Sequence, residues 1–153
     1  MSMFCYQCEQ TSKGSACTLT GVCGKDPQVA ALQDLLIYAC KDISRYAHRA
    51  YEAGQRRDEI DHFTIQAIFA TLTNTNFDAA AIQQFLREAV KVKAIARQLV
   101  TEVTGRDEEF DCPVRWEAAV EDRNELISLG ESASIENRLS LLGDDLTGLQ
   151  ELI

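Results

Sequence analysis

The chain has 153 residues, with 15 Lys and Arg against 24 Asp and Glu, a formal charge of −9 that makes nucleic acid a poor candidate partner. Hydrophobic residues make up 46% and charged residues 25%, the composition of an ordinary globular domain rather than a disordered chain. No stretch approaches the roughly 20 apolar residues of a membrane span, and Met-Ser-Met-Phe-Cys-Tyr-Gln-Cys lacks the character of an export signal, so the expected setting is the cytoplasm, with no membrane partner.

Residues 1–26 carry Gly14, Gly21 and Gly24, several Ser and Thr, and four of the six cysteines, without helical or strand periodicity; they read as an irregular, ordered loop. Asp26-Pro27 then predicts a helix start, with Asp26 capping free amides and Pro27 where no N–H is needed. Leu32, Leu36, Ala39, Ile43, Tyr46 and Ala50 follow at helical spacing and Gly54 supplies a stop, which gives a helix over 27–53. A second helix over 58–72 opens on Asp58-Glu59 and carries Ile60, Phe63, Ala67, Phe69 and Leu72. Asp78 caps a third, in which Ile82, Phe85, Ala89, Val92, Ala96, Leu99 and Val103 form the apolar stripe and Gly105 ends the run. Short turns between these segments predict an all-α fold, an antiparallel three-helix bundle preceded by the cysteine-rich loop.

From Arg106 the character changes. The last 48 residues hold four basic and thirteen acidic side chains, so the net charge of the whole molecule resides there. A shorter helix is expected over about 115–129, stopped by Gly130, which puts the bundle at 27–130. Residues 131–143 read as a polar connector, and Leu146, Leu149, Leu152 and Ile153 as the interrupted start of a second helical bundle, so that 131–153 forms a third segment.

Cys5-x2-Cys8-x8-Cys17-x5-Cys23 carries the chemical information. Two disulfides suit a small exported domain and fit poorly here. A structural zinc site needs two close pairs; Cys5 and Cys8 form one, whereas Cys17 and Cys23 are wider than usual. An iron–sulfur cluster tolerates uneven spacing, and loop amides can hydrogen-bond to its sulfurs. Spacing leaves zinc and iron–sulfur both open.

The strings Met-Phe-Cys-Tyr-Gln-Cys-Glu-Gln-Thr at 3–11, Gly21-Val22-Cys23-Gly24-Lys25, Leu32-Gln33-Asp34-Leu35-Leu36-Ile37 and Phe69-Ala70-Thr71-Leu72-Thr73-Asn74-Thr75-Asn76-Phe77-Asp78 closely resemble the N-terminal region of the hybrid cluster proteins, or hydroxylamine reductases. The resemblance runs through most of 3–104, weakens across 106–140 and returns faintly at 146–153. It implies that Cys5, Cys8, Cys17 and Cys23, in the family's compact pattern, hold a [4Fe–4S] cluster. It further implies that this cluster passes electrons to a hybrid [4Fe–2O–2S] cluster whose ligands lie in later domains, where hydroxylamine is reduced to ammonia and water, or nitric oxide is reduced. The implied partners are a redox protein that supplies electrons and either the remaining domains of a longer protein or a separate catalytic subunit. Two other readings stay open: a zinc-stabilised helical interaction domain and a stand-alone short electron-transfer protein.

The remaining candidates read more plainly. Cys40 follows the apolar stripe of the first helix and is expected to pack as a small apolar side chain. Cys112 lies in an acidic loop that disfavours its thiolate. His48 and His62 form no ligand pair, and Trp116 is expected to anchor the acidic segment on the bundle. The acidic stretch 107–125 is expected to be a solvated face, with donor docking as the lesser reading.

Overall fold

The computed structural model describes residues 3–72, 74–112, 114–134 and 137. Among them the fold is all-α, with four helices and no strand beyond a single bridge pair between Cys5 and Cys17. Helix α1 spans Pro27–Glu52, α2 Asp58–Thr71, α3 Ala79–Thr104 and α4 Arg123–Ala133.

The ends of the long helices follow from local chemistry. The Asp26 carboxylate accepts the Val29 N–H at 2.8 Å, and Pro27 occupies the first helical position. Asp78 caps α3 by accepting from Ala80 at 2.8 Å. Gly105 closes α3 at φ 69°, a left-handed conformation that glycine adopts without a Cβ penalty, and its N–H returns to the Thr101 carbonyl at 2.9 Å.

Three contacts fix the direction of the helices. Gln33 donates to the Asn76 carbonyl just before α3, Lys93 meets Asp42 midway, and Arg49 pairs with Glu108 just past the end of α3. Helices α1 and α3 therefore run side by side in the same direction. The chain returns between them through α2, whose start lies beside the end of α3 through the Arg57–Glu102 pair.

The core is the stripe predicted for α1, with Leu32, Leu36, Ala39, Ile43, Tyr46 and Ala50 all buried, met by Ile60, Phe63 and Ala67 of α2 and by Ile82, Leu86, Ala89, Val92, Ala96 and Leu99 of α3. Each large apolar side chain withdrawn from water contributes about 1.5–3 kcal/mol before entropy is counted. In α2 the expected stripe is wrong at one end. Phe69 is 60% exposed and Leu72 44%, while Ala70 and Thr71 turn inward. With apolar residues on both sides of a short helix, composition does not say which side faces the bundle; the close approach to α1 and α3 admits the smaller residues.

The segment after α3 also departs from expectation. The single helix expected over 115–129 is two pieces: a 3-10 turn over Trp116–Ala119, then α4, capped by Asp122 through the amides of Asn124 at 2.9 Å and Glu125 at 3.2 Å. Gly130 does not stop the helix, which continues to Ala133. A Cβ at Gly130 would lie 2.0 Å from the Ala31 carbonyl oxygen, so the glycine is where α4 rests backbone to backbone on α1. Gly130→Ala is expected to push the two helices apart and to cost about 1–3 kcal/mol in a urea unfolding experiment, and an unchanged midpoint would contradict this packing. The helix start expected at 146–153 lies outside the described residues, as does most of the expected connector.

Candidate metal centre

The cysteine loop is short of apolar residues and is held by its backbone. The Cys5 N–H donates to the Cys17 carbonyl at 3.1 Å and the Cys17 N–H returns to the Cys5 carbonyl at 2.8 Å; the Met3 N–H donates to Thr18 at 3.1 Å. Met3, Cys17 and Ala30 make a small apolar cluster that seats this bridge on the first turn of α1. The Gln7 side chain donates to the Thr71 carbonyl at 2.9 Å, fixing the Cys5–Cys8 segment to the end of α2. A tight turn follows Cys17: Gly21 N–H donates to the Lys25 carbonyl at 2.8 Å, and Gly24 N–H to the Gly21 carbonyl at 2.8 Å. Gly24 sits at φ 90°, which an L side chain rarely adopts.

These tethers put the thiols into different surroundings. The Cys17 sulfur accepts the Ser12 N–H at 3.4 Å. Its pKa is lowered from the ordinary thiol value by the Ser12 amide first and the Val22 amide second; burial opposes this and the Lys25 charge assists it. Cys5 lies 3.9 Å from the Lys25 ammonium. The Cys23 sulfur lies against Gly21, where a Cβ would approach it to 3.1 Å. Cys8 is half-buried.

Bridge and turn thus bring Cys5, Cys17 and Cys23 around one short stretch of backbone. Among the described residues, however, no three His, Cys, Asp or Glu side chains are close enough together to hold a metal ion, so the four thiols share a loop without meeting at one point. None of the six cysteines is in a disulfide. The chemistry of the donor set nevertheless fits an iron–sulfur cluster: four soft sulfur donors in one loop, amide N–H groups directed at the Cys17 sulfur, and a buried cation beside Cys5.

Elsewhere, Cys40 is buried in the core and its thiol pKa is pushed up to about 12 by burial, in keeping with a packing role. Cys112 donates to the Val114 carbonyl at 3.1 Å; burial first, and then the Asp42 charge, raises its pKa. His48 lies 3.8 Å from Glu52 on the surface of α1, and His62 is exposed. Trp116 is fully buried and donates its indole N–H to Asp42 at 3.2 Å, the anchor expected of it.

Two features escaped the sequence. Lys25 is buried, although its place directly after the last Gly of the cysteine turn is the one hint of a role. The acidic stretch is also more than a solvated face: Asp107 pairs with Arg97, Glu108 with Arg49, Glu117 with Lys93 and Glu121 with Arg87, strapping the segment across α1 and α3.

A cysteine loop mounted on a helical bundle defines the class of protein: an all-α domain with a four-cysteine loop at the N-terminal end of its first helix. The chain belongs to the Prismane/CO dehydrogenase family, whose sequence profile matches residues 3–153. The hydroxylamine reductase of Rhodospirillum rubrum is 44% identical over 155 residues, covering 99% of this chain and 28% of the relative. That of Methanocella arvoryzae is 39% identical, covering 98% of this chain and 27% of the relative. That of Bacteroides thetaiotaomicron is 39% identical, covering 100% and 26%. These matches bear out the resemblance to the hybrid cluster proteins, and the chain spans about a quarter of the length of the relatives. Among the described residues no helix is long and apolar enough to cross a membrane.

Proposed function

We propose that this chain is the electron-relay part of a hydroxylamine reductase-like hybrid cluster protein, in which Cys5, Cys8, Cys17 and Cys23 hold a [4Fe–4S] cluster. The observation that carries the proposal is the Cys17 sulfur, held toward its anionic form by the Ser12 and Val22 amides inside a four-cysteine loop that also encloses a buried lysine.

A cluster bound there supplies reversible one-electron storage, its potential set by charge, hydrogen bonds to sulfur and exposure. The chain's own residues provide the mount. The Cys5–Cys17 bridge fixes two ligands relative to each other, Gln7 ties the first pair to α2, and the Gly21–Lys25 turn presents Cys23. The loop lies at the N-terminal end of α1, beside the partly exposed Tyr6 and Val22, where a reduced cytoplasmic partner can approach. The hybrid [4Fe–2O–2S] cluster, and with it the reduction of hydroxylamine or nitric oxide, belongs to the rest of a longer protein or to a separate catalytic subunit.

Anaerobic reconstitution with iron and sulfide is expected to give broad visible absorption that dithionite bleaches, with no hydroxylamine reduction by this chain alone. A colourless product would favour the zinc-stabilised interaction domain. Hydroxylamine reduction by the pure chain would show that the catalytic ligands are already present in it.

A further inference from the structure

We propose that Lys25 is the fixed positive charge of the cysteine loop, a positioning residue that draws the thiolates together and raises the reduction potential of the cluster they bind; the inference rests on the reading above. Lysine is seldom fully buried, because removing an ammonium from water is costly unless the charge is answered. Lys25 is 2% exposed. Its hydrogen-bond acceptors among the described residues are the Cys5 sulfur at 3.9 Å and the Gln7 side-chain oxygen at 3.2 Å, neither of them a carboxylate. The Phe77 ring, with its centre 5.8 Å from the ammonium, adds a cation–π contact.

The stem is held as firmly as the head. The Lys25 carbonyl accepts the Gly21 N–H, and a Cβ at Gly21 would lie 3.1 Å from the Lys25 Cβ, so the turn leaves the lysine little room to move. Asp26, the next residue, caps α1 and fixes the backbone on the other side. The ammonium is therefore a placed charge that reaches the thiol of Cys5. A buried positive charge favours the more negative state of a neighbouring redox group, which here is the reduced one.

The test compares the wild-type chain with Lys25→Met and Lys25→Arg after anaerobic reconstitution, first by iron content and then by redox titration. Lys25→Met is expected to lower the one-electron reduction equilibrium constant tenfold or more, a midpoint about 59 mV more negative, while Lys25→Arg stays near wild type. Iron uptake by Lys25→Arg but not by Lys25→Met supports the same requirement for charge. A wild-type potential in loaded Lys25→Met overturns the inference. So does an equal shift, or an equal loss of iron, in both variants, because shape rather than charge is then what matters. A wild-type chain that takes up no iron overturns the cluster reading itself, a different result from either of these.

Discussion

Replacing Cys5, Cys8, Cys17 or Cys23 singly by Ser is expected to remove most of the iron that the reconstituted chain binds, whereas Cys40→Ser and Cys112→Ser leave it unchanged. The hydroxyl is nearly the size of the thiol but is a hard donor that stays protonated near neutral pH, so it does not replace a thiolate on iron. The backbone bridge between positions 5 and 17 uses main-chain groups only and survives the change, so a loss of iron at these positions reports ligation rather than unfolding. The two controls differ in kind. Cys40 is packed in the core with its thiol held neutral by burial, and Cys112 is spent on the Val114 carbonyl. Metal analysis of the six purified variants reads the result, and an equal loss across all six would remove the basis for the assignment.

Asp42→Ala is expected to be the most damaging change in the bundle away from the loop, costing about 3 kcal/mol in urea unfolding. Asp42 is 2% exposed, and its carboxylate accepts from both the Lys93 ammonium at 2.7 Å and the Trp116 indole at 3.2 Å. Without it the indole N–H is buried with no acceptor, and Lys93 keeps only Glu117, at 2.6 Å and half open to water. Burial by itself lowers the Lys93 pKa; the hydrogen bonds to Asp42 and Glu117 outweigh it and hold the ammonium above its ordinary 10.5. A cation whose pKa is raised by folding stabilises the fold fully below its unfolded value and loses that contribution only as pH rises through the folded one, so the pair is intact at neutral pH and fades in strong alkali. Asp42→Asn, which can still accept from Trp116, is expected to cost less. An Asp42→Ala unfolding free energy within about 0.5 kcal/mol of wild type would contradict this pairing.

How far these features can be read from sequence depends on whether their causes are local. Helices α1 and α3 are found almost to the residue, because Asp26-Pro27, Asp78 and Gly105 act on amides and carbonyls within a turn of themselves. Gly130 is ambiguous in sequence because glycine has two structural uses. It ends helices in the left-handed conformation, and it also lets two backbones touch; only the position of Ala31, 99 residues away, tells which applies. The inward turn of Ala70 in place of Phe69 has the same origin, since the choice belongs to the neighbouring helices.

The candidate site divides along the same line. Four cysteines in 19 residues are visible as a pattern, and resemblance supplied the order among the possible metals. The Ser12 and Val22 amides, the Cys5–Cys17 bridge and the buried ammonium of Lys25 are products of the loop's fold, for which single residues carry no signal. Lys93 and Asp42 stand 51 positions apart, and a lysine or aspartate is by default a surface residue until the packing of α1 on α3 encloses both.

The proposed relay requires that the N-terminal thiols of this chain bind an iron–sulfur cluster rather than a lone metal ion. Metal and sulfide analysis of the anaerobically reconstituted chain tests it most directly, with zinc offered in competition. About four irons and a matching amount of acid-labile sulfide per chain is the predicted result. One tightly bound zinc, without iron or sulfide, is the result that would contradict it.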